Sequence, residues 1–398
     1  MVSVEEALKI ILNSTIDFGV EAIPFLKSVG RVLKEDIVAD RDFPPFNRVS
    51  MDGIAIDFHQ FQKGQREFRV EGIQPAGSEQ ISLQNSENCI EVMTGAVLPK
   101  NATAVIRYED VEIKNGFAKI MVEDIYDAQN IHEKGKDRKV GDVLILKNTI
   151  ISAAEIGVFA TIGKVIVKVA KQPKVMIVST GDELVSVDEN PLPHQIRKSN
   201  VFTLASLLER LHISSEMDHI TDDKILLKQK IKSHLQKFDV LLFSGAVSKG
   251  KFDYLPEVFE ELGVEKLFHT VSQRPGKPFF FGKKENCVIF GFPGNPVSTF
   301  VNGLAYFYPW YYKSVGVETK EETAILTEDV TFKPDLTYFL QVKLSDKFGH
   351  TLATPIQGNG SGDLASLVNA DAFIQLPKTE ETVFKQGDNF PILRFRGF

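Results

Sequence analysis

The sequence has no long apolar run and no basic leader segment. None of its hydrophobic stretches approaches the roughly 18 to 20 consecutive apolar residues that cross a bilayer as a helix. The first ten residues carry Glu5 and Glu6, whereas a secretory signal peptide begins with positive charge. We therefore expect a soluble, cytoplasmic protein without a membrane partner.

Bases, cysteines and metal-binding histidine motifs are also scarce. The chain has 46 Lys and Arg against 53 Asp and Glu, and its net charge of −7 argues against nucleic acid as the main partner. Cys89 and Cys287 lie far apart in apolar contexts, which predicts two buried strand thiols in a reducing compartment. The eight histidines form no HExxH motif or paired metal-ligand spacing, so no zinc site is expected.

The 398 residues are too many for one core, since domains average about 150 residues. Ser3 and Glu6 form a capping box before a short amphipathic helix. Residues 40–150 consist of short β-like runs broken by Gly, Pro and Asn, and helical spacing returns in the segment IISAAEIGVFATIG, residues 150–163. This order predicts a β-rich module inserted between two helical pieces that pack on each other.

After residue 172, apolar strand-like runs alternate with helical patterns as far as the helix that begins near Pro296. This alternation predicts a mostly parallel, doubly wound α/β sheet. Short strands and Gly/Asn turns return after residue 317, enough for a C-terminal β domain of about 75 to 80 residues.

Three turns of the α/β segment share one architecture, in which a buried strand is followed by glycine and then by a helix. They are STGDEL (179–184), SGAVSKGKFDY (244–254) and GFPGNPVS (291–298). Ligands of such sheets collect at the carboxyl ends of the strands, where backbone N–H groups and helix N-termini favour anions. Each turn alone could be ordinary punctuation between strand and helix, but three at one edge predict a site for a phosphate-bearing ligand.

Acidic residues in these turns, Asp182, Glu183 and Asp253, would repel a phosphate. A helix terminus contributes only about 0.3 to 1 kcal/mol and up to ~2 kcal/mol when partly buried, too little to offset several carboxylates. A cation must therefore intervene, and Mg²⁺ suits one or two carboxylates plus phosphate oxygens. The remaining phosphate charge could be met by Lys249, Lys251, Arg274 and Lys277. For the lysines, a solvated face is an equal alternative.

The β-rich half contains three further candidate loops. DFPPFNRVSMDGIAI (42–56) is a stiff loop with two adjacent prolines, MTGAVLPKNATAVIRYED (93–110) has a Thr-Gly turn after a strand, and GKDRKVGDVLI (135–145) has an Asp between two glycines. Read alone, each is also compatible with a β-turn that carries a structural Asp or Thr.

Together these segments, from DFPPF to GNGSGDLASL (358–367), resemble the molybdopterin molybdenumtransferase family of the MoeA proteins and the gephyrin E domain. The resemblance implies insertion of molybdate into the dithiolene of adenylylated molybdopterin, with Mg²⁺-dependent release of AMP. It also implies an elongated homodimer of four-domain subunits and a molybdopterin-adenylylating protein as a partner.

The corresponding fold class is multidomain α/β plus β. We expect a discontinuous N-terminal helical/β dimerisation domain (1–41 with 141–171) and an inserted β-rich domain (42–140). A MogA-like α/β domain (172–317) and a small β-barrel-like C-terminal domain (318–398) follow.

The resemblance assigns catalytic roles to Asp52, Thr94, Asp137, Glu183 and Asp253, with Glu183 and Asp253 as the Mg²⁺ ligands. Molybdate needs hydroxyl, N–H or cationic donors, for which Thr94, Ser361 and Arg274 are candidates. The glycine turns and the resemblance together give these substrate-binding residues: Ser179, Thr180, Gly181, Asp182, Asp222, Asp223, Ser244, Gly245, Ser248, Arg274, Lys277, Pro293, Gly294, Asn295 and Ser361.

The chain departs from the family pattern at four positions. Ala246 replaces a usual Gly, Thr270 and Gln341 fall where relatives often carry Lys and Arg, and Arg274 replaces a common Lys. Loss of two cations would weaken the cationic lining of the ligand site.

Two other functions remain open. A MogA-type molybdopterin adenylyltransferase would account for the α/β segment but not for the DFPPFNRVSMDGIA module. A non-catalytic dimeric scaffold is a second alternative, and intact acids in the glycine turns favour catalysis over it.

Overall fold

The computed structural model describes residues 1–245 and 254–396. Within these ranges no helix is both long and apolar enough to span a membrane. The shorter helical turns are the 3-10 helices Phe25–Lys27, Tyr108–Asp110 and Leu364–Val368 and the π-helix Gly303–Phe307. The α-helices of the described residues are α1 (Val4–Leu12), α2 (Phe58–Gln62), α3 (Ala153–Thr161), α4 (Asn200–Glu209), α5 (Lys224–Lys237), α6 (Leu255–Glu261), α7 (Pro296–Asn302) and α8 (Tyr308–Ser314).

The chain forms two compact units. The first comprises Met1–Lys34, Asn148–Ile156 and Ile166–Phe398, and the second comprises Glu35–Lys147 and Gly157–Val165. The finer division into four domains stays a prediction.

The second unit is built on a mixed six-stranded sheet in the order β7-β4-β6-β5-β9-β8, in which only the β5–β6 pair is parallel. Two apolar clusters cover its faces. The predicted β-rich module is thus confirmed. The strands up to residue 145 are β1 (Val20–Pro24), β2 (Ile37–Val38), β3 (Arg48–Val49), β4 (Gly53–Ile56), β5 (Glu67–Gln74), β6 (Asn88–Val92), β7 (Ala104–Arg107), β8 (Val111–Lys114), β9 (Phe117–Ile120), β10 (Ile131–His132) and β11 (Val143–Ile145).

The first unit contains ten further strands before residue 293. They are β12 (Ile166–Ala170), β13 (Val175–Thr180), β14 (Leu184–Val185), β15 (Ile196–Arg197), β16 (Ser215–Ile220), β17 (Val240–Ser244), β18 (Glu265–Thr270), β19 (Gln273–Arg274), β20 (Pro278–Lys284) and β21 (Cys287–Phe292). Six of them form the main sheet, in the order β16-β13-β17-β21-β20-β18. Its first four strands are parallel, as predicted, whereas β20 and β18 are antiparallel strands that the alternating pattern had not predicted.

Both faces of this sheet are covered by helices, because successive strand residues point to opposite sides. Val175 and Ile177 of β13 pack in the cluster that contains α4, α7 and α8. Met176 and Val178 pack in the cluster that contains α5 and α6. The sheet is therefore doubly wound, as predicted.

The C-terminal strands close into a small barrel around their own core. Pairings run β24-β25-β22-β28-β26 and return from β26 to β24, so that these five strands form a ring. The expected barrel-like C-terminal domain is confirmed. Its strands are β22 (Glu322–Leu326), β23 (Val330–Thr331), β24 (Thr337–Lys347), β25 (His350–Pro355), β26 (Ala372–Leu376), β27 (Val383–Phe384) and β28 (Asn389–Arg394).

Helix α1 begins with the predicted capping box, in which Glu6 N donates to Ser3 Oγ and Ser3 N donates to Glu6 Oε2. Its apolar face joins the core cluster of α8, and Trp310 Nε1 donates to Ser14 O at 2.9 Å. Among the described residues that cluster contains no α3 side chain, so the expected packing of the first helix on the helix near residue 155 was wrong. The reason is that the apolar stripe of α1 covers the larger aromatic surface of the α/β core.

Cys89 and Cys287 are both buried free thiols in strands, as predicted. Burial raises the pKa of each thiol to about 12. Neither is a ready nucleophile or metal ligand.

Candidate active site

A cavity of about 770 Å³ lies in the first unit, where the carboxyl ends of β13, β17 and β21 face the barrel strand β24. The strand–glycine–helix turns supply one wall, the loop after β19 supplies a second, and barrel residues complete it. Eleven of the substrate-binding and catalytic residues predicted from the sequence line this cavity: Thr180, Gly181, Glu183, Asp222, Gly245, Arg274, Lys277, Pro293, Gly294, Asn295 and Ser361.

A second cavity, of about 400 Å³, is also lined by the predicted Ser179 and Ser244. It shares five lining residues with the first: Thr180, Glu183, Gly245, Gly294 and Asn295. Asp182 and Asp223 line neither cavity. Asp223 instead caps α5, since its Oδ1 accepts from Leu226 N at 2.9 Å. Four further predicted residues, Ser248, Lys249, Lys251 and Asp253, lie outside the described residues, as does the departure at Ala246.

One wall of the larger cavity is acidic. Asp182 Oδ1 accepts a hydrogen bond from Asp222 N at 3.1 Å. Burial raises the pKa of the Asp222 carboxyl, and the charges of Asp182 and Glu183 raise it further. Gly181 has a φ of +125°, and a Cβ there would lie 2.4 Å from Glu183 Oε2, so glycine allows the Glu183 side chain to fold back over the turn. The three carboxylates thus share one electrostatic environment.

Arg274 and Lys277 provide positive charge to the same cavity. Both side chains are exposed, and both stand on the short loop between β19 and β20. Because β19 pairs with barrel strand β24, this loop is held between the α/β sheet and the barrel. The cavity therefore carries carboxylates and cations on different walls, an arrangement suited to a ligand that combines a metal ion with anionic groups.

Hydrogen bonds tie the glycine turns to one another. Asn295 Nδ2 donates to Ser361 Oγ at 2.8 Å. Asn200 Nδ2 donates to Ser244 Oγ at 2.8 Å and to Gly294 O at 2.7 Å. Asn200 was missed in the sequence, although its place at the start of a helix beside the sheet edge was a usable signal. It cross-links two turns that lie far apart in sequence.

Two buried polar atoms on the cavity walls have no hydrogen-bond partner among residues 1–245 and 254–396. Thr180 Oγ1 lies where the two cavities meet, and Gln341 Oε1 belongs to the barrel wall. A buried polar atom without a partner costs free energy, so such atoms mark places where a ligand or water completes the hydrogen bonding. Tyr338 also lines the barrel wall and was missed, because nothing in the sequence indicates which barrel residues face the α/β sheet.

The second unit holds the other predicted catalytic residues. Thr94 N donates to Asp52 Oδ1 at 2.6 Å, and this bond lowers the pKa of the Asp52 carboxyl below its ordinary value. Asp52 is therefore a carboxylate at neutral pH. The SMDG turn and the Thr-Gly turn, separate in the sequence, are brought together by this contact.

Asp137 contacts His132, which in turn contacts Arg48, and the sequence analysis missed both residues. His132 Nε2 lies 2.8 Å from Asp137 Oδ1, and Arg48 Nη2 lies 3.1 Å from His132 Nδ1. Because arginine can only donate, Nδ1 must accept and the ring proton is carried on Nε2, facing the carboxylate. The pairing of β3 with β10 places Arg48 beside His132, and no local motif indicates that pairing.

Family models match three stretches of the chain. Residues 2–163 match the MoeA N-terminal region (domain I and II), residues 176–309 match a probable molybdopterin-binding domain, and residues 323–395 match the MoeA C-terminal region (domain IV). The matched stretches cover most of the chain in the order that the resemblance implies.

Full-length relatives agree with these matches. The chain is 39% identical to the molybdopterin molybdenumtransferase of Synechocystis over 98% of this chain and 99% of the relative. It is 31% identical to that of Staphylococcus aureus over 98% and 95% of the two chains. The solved molybdopterin biosynthesis MoeA protein of Pyrococcus horikoshii covers 100% of both chains with a TM-score of 0.84 at 31% identity. The chain therefore belongs to the MoeA family, whose curated relatives are named molybdopterin molybdenumtransferase.

Proposed function

We propose that the protein is a molybdenum insertase of molybdenum cofactor biosynthesis, which transfers molybdenum from molybdate into adenylylated molybdopterin and releases AMP. One observation carries the proposal: a single cavity is lined by Glu183 and Asp222 on one wall and by Arg274 and Lys277 on another. Its volume of about 770 Å³ is ample for a nucleotide-sized organic ligand.

The described residues that line the cavity suggest which groups bind the ligand and which support the reaction. The guanidinium of Arg274 and the ammonium of Lys277 can meet the negative charge of molybdate or phosphate. Thr180, Ser361 and the backbone of the glycine turns supply neutral donors for the remaining oxygens. Molybdate-driven release of AMP then depends on positioning and charge stabilisation, so no covalent nucleophile is needed.

We further infer that Mg²⁺ binds at the acidic wall together with the phosphate groups of the substrate. The pKa of Asp222 is raised first by burial and then by repulsion from Asp182 and Glu183, and the repulsion supports a cation there because a divalent ion would relieve it. Within residues 1–245 and 254–396 no three acidic, histidine or cysteine side chains form a complete metal site, which suits an ion that arrives with its ligand. Glu183 would hold it, and bound Mg²⁺ would polarise the pyrophosphate link.

The homodimer expected from the resemblance also remains a proposal. The two-stranded ribbon of β1 and β12 aligns Pro24 with Ile166, and Val20 shares their face. Val20 and Ile166 are 47% exposed, and Leu26, just after β1, is 70% exposed. An exposed apolar face of this kind suits a contact with a second copy of the chain. Val20→Glu together with Ile166→Glu should shift the sedimentation velocity profile from dimer to monomer.

From the biosynthetic role we further propose that the protein acts in the cytoplasm and receives adenylylated molybdopterin from a molybdopterin-adenylylating protein. Direct hand-over would protect a reactive dithiolene from water and oxidants. A pull-down with purified adenylylating protein, in the presence and absence of molybdopterin, would test this partner.

The decisive experiment measures AMP release from adenylylated molybdopterin with and without molybdate, in Mg²⁺ and in EDTA. We expect release that requires both ions, and we expect Glu183→Gln to reduce it by roughly 100-fold or more, as loss of a metal-holding carboxylate does. Glu216→Gln, which neutralises an exposed acid of the same unit outside both cavities, serves as the matched control. If the protein instead consumes ATP to adenylylate molybdopterin, it is an adenylyltransferase, and if it does neither, the insertase proposal fails.

A further inference from the structure

A buried network of three polar side chains lies directly beneath the loop of Arg274 and Lys277. Gln273, Asn302 and Tyr306 are all completely buried. The Tyr306 hydroxyl donates to Gln273 Oε1. Gln273 Nε2 donates to Asn302 Oδ1 at 2.7 Å and to Pro275 O at 2.9 Å. Both donors and the acceptor of the Gln273 amide are thus in use.

The helical segment below the loop brings Asn302 and Tyr306 to this amide. Asn302 ends α7, and Tyr306 lies in the π-helix that follows it, Gly303–Phe307. A π-helical turn is rare and is found frequently at functional sites. Here Asn302 at the end of α7 and Tyr306 in the π-helix both contact the amide of Gln273.

The loop lies in close contact with this network. Gly276 has a φ of +89°, and a Cβ at this position would lie 2.8 Å from Asn302 Oδ1 and 2.8 Å from Gln273 Nε2. Only glycine permits both the left-handed backbone and this approach. The main chain between Arg274 and Lys277 therefore lies against the amide pair.

The same loop is fixed at its base and on its barrel side. Val271 N donates to Lys277 O at 3.0 Å, which closes the loop. Thr337 N donates to Ser272 O at 3.0 Å, and β19 pairs with β24. The backbone is held from three directions, whereas the Arg274 and Lys277 side chains that it carries are exposed to the cavity.

We propose that Gln273, Asn302 and Tyr306 are positioning residues, which hold the loop so that Arg274 and Lys277 present their charges to the anionic ligand. Asn302 and Tyr306 are not among the described residues that line the cavity, and Gln273, which does line it, uses its amide groups within the network. The part of this inference that concerns ligand affinity rests on the proposed function, whereas the part that concerns the loop does not.

The first test is hydrogen exchange of the peptide spanning residues 271–277, measured by mass spectrometry without ligand. Tyr306→Phe removes one hydroxyl and leaves Gln273 Oε1 without its donor, so exchange in this peptide should accelerate roughly fivefold, the equivalent of one lost hydrogen bond. Tyr311→Phe is the matched control, because the Tyr311 side chain is also buried and its hydroxyl donates to Gln172 Oε1 at 2.7 Å. Equal exchange of the peptide in both variants would overturn the proposal.

The second test separates binding from turnover. Tyr306→Phe should raise KM for adenylylated molybdopterin roughly five- to tenfold with kcat within about twofold of wild type, while Tyr311→Phe changes neither. Gln273→Met, of similar shape, should raise KM further, and adding Tyr306→Phe to it should have no additional effect because the hydroxyl has already lost its partner. Additive effects of the two substitutions would overturn the network. If wild-type protein shows no turnover, the proposed function fails, and the exchange experiment still decides whether the loop is held.

Discussion

The two compact units hold their predicted site residues in different ways. In the first unit, eleven predicted residues from separate turns line one cavity, where side-chain hydrogen bonds from Asn200 and Asn295 connect the turns. In the second unit, Asp52, Thr94 and Asp137 are exposed and are held by short local contacts. The difference shows that a parallel sheet gathers distant turns by its topology, whereas loops of the β-rich unit need dedicated polar partners.

The carboxyl groups of the two units also differ in the direction of their pKa shifts. Burial and neighbouring acids raise the pKa of Asp222, whereas the Thr94 N–H lowers the pKa of Asp52. The first environment disfavours the ionised carboxyl, and the second stabilises it. The same residue type thus occupies two opposite electrostatic environments.

The largest effect should follow from removing the cations of the cavity. Arg274→Ala with Lys277→Ala should raise KM for adenylylated molybdopterin by roughly 100-fold or more, since charge-assisted hydrogen bonds contribute about 1.5 to 3 kcal/mol each. The melting temperature should hardly change, because both side chains are exposed. Steady-state AMP release and thermal unfolding measure the two quantities.

The control for that double variant is Lys228→Ala with Lys283→Ala, which removes two exposed lysines of the same unit that lie outside both cavities. It changes the net charge by the same amount. A KM shift of similar size in the control would mean that overall charge, and not the loop, attracts the ligand.

The sequence predicted the cavity edge well because glycine turns after buried strands have a fixed place in a parallel sheet. It predicted the barrel wall less well: only the family resemblance pointed to Gln341, and Tyr338 was missed, because both line the cavity through the docking of the barrel on the α/β sheet. It also missed the antiparallel strands β18 and β20. The alternation of strands and helices in this segment favours a helix after each strand, whereas between β18 and β20 the chain reverses through the loop around Gly276 without a helix.

In the second unit the sequence predicted strands but not the polar partners of the candidate residues. His132 stands two residues beyond Asn130 with no motif around it, and Arg48 is distant in sequence. Their contact depends on the pairing of β3 with β10, which is only two residues long. Such short strands show no alternation of apolar and polar residues in the sequence. The contact of Arg48 with His132 is therefore seen only in the three-dimensional structure.

A smaller effect is expected at Asp137. His132→Phe removes the Nε2 donor, so the carboxylate becomes free to rotate and kcat/KM for AMP release should fall roughly tenfold, as for loss of a charge-assisted hydrogen bond. His132→Gln keeps an N–H donor and should retain most of the activity. Arg48→Met, which leaves the His132–Asp137 contact in place, should have an effect between the two. If His132→Phe turns over like wild type, the contact has no part in the reaction and the two units differ even more than we infer.

A few-fold effect is expected from restoring a cation at the barrel wall. Gln341→Arg places a positive charge at a residue that lines the cavity and should tighten molybdate binding, measured by calorimetry, by roughly three- to tenfold. Thr270→Lys adds the same charge at the end of β18, outside the cavity lining, and should leave binding unchanged. Tightening by Thr270→Lys alone would show that the ligand extends beyond the cavity toward β18.

The smallest effect concerns stability and tests the contrast between Asp222 and Asp52 directly. The pKa of Asp222 is raised above its ordinary value of 3.8, so its ionised form disfavours the folded state at neutral pH. In metal-free buffer at pH 7, Asp222→Asn should therefore raise the free energy of unfolding, by no more than about 1 kcal/mol because solvent screens a partly exposed charge. This gain should vanish as the pH falls through the raised pKa, where the wild-type carboxyl becomes neutral.

Asp52→Asn should behave in the opposite way. The pKa of Asp52 is lowered, so its stabilising contribution is fully present above its ordinary value of 3.8 and is lost as the pH falls through the lowered pKa. The amide can still accept from Thr94 N, but without charge assistance the bond is weaker, and the variant should be slightly less stable than wild type at pH 7. Urea unfolding of both variants at pH 7 and pH 4 measures the two signs. The difference for Asp222→Asn should shrink toward pH 4, whereas that for Asp52→Asn should persist there, because its pKa lies below 3.8. Two variants that shift stability in the same direction at pH 7 would show that the carboxylates do not occupy opposite electrostatic environments.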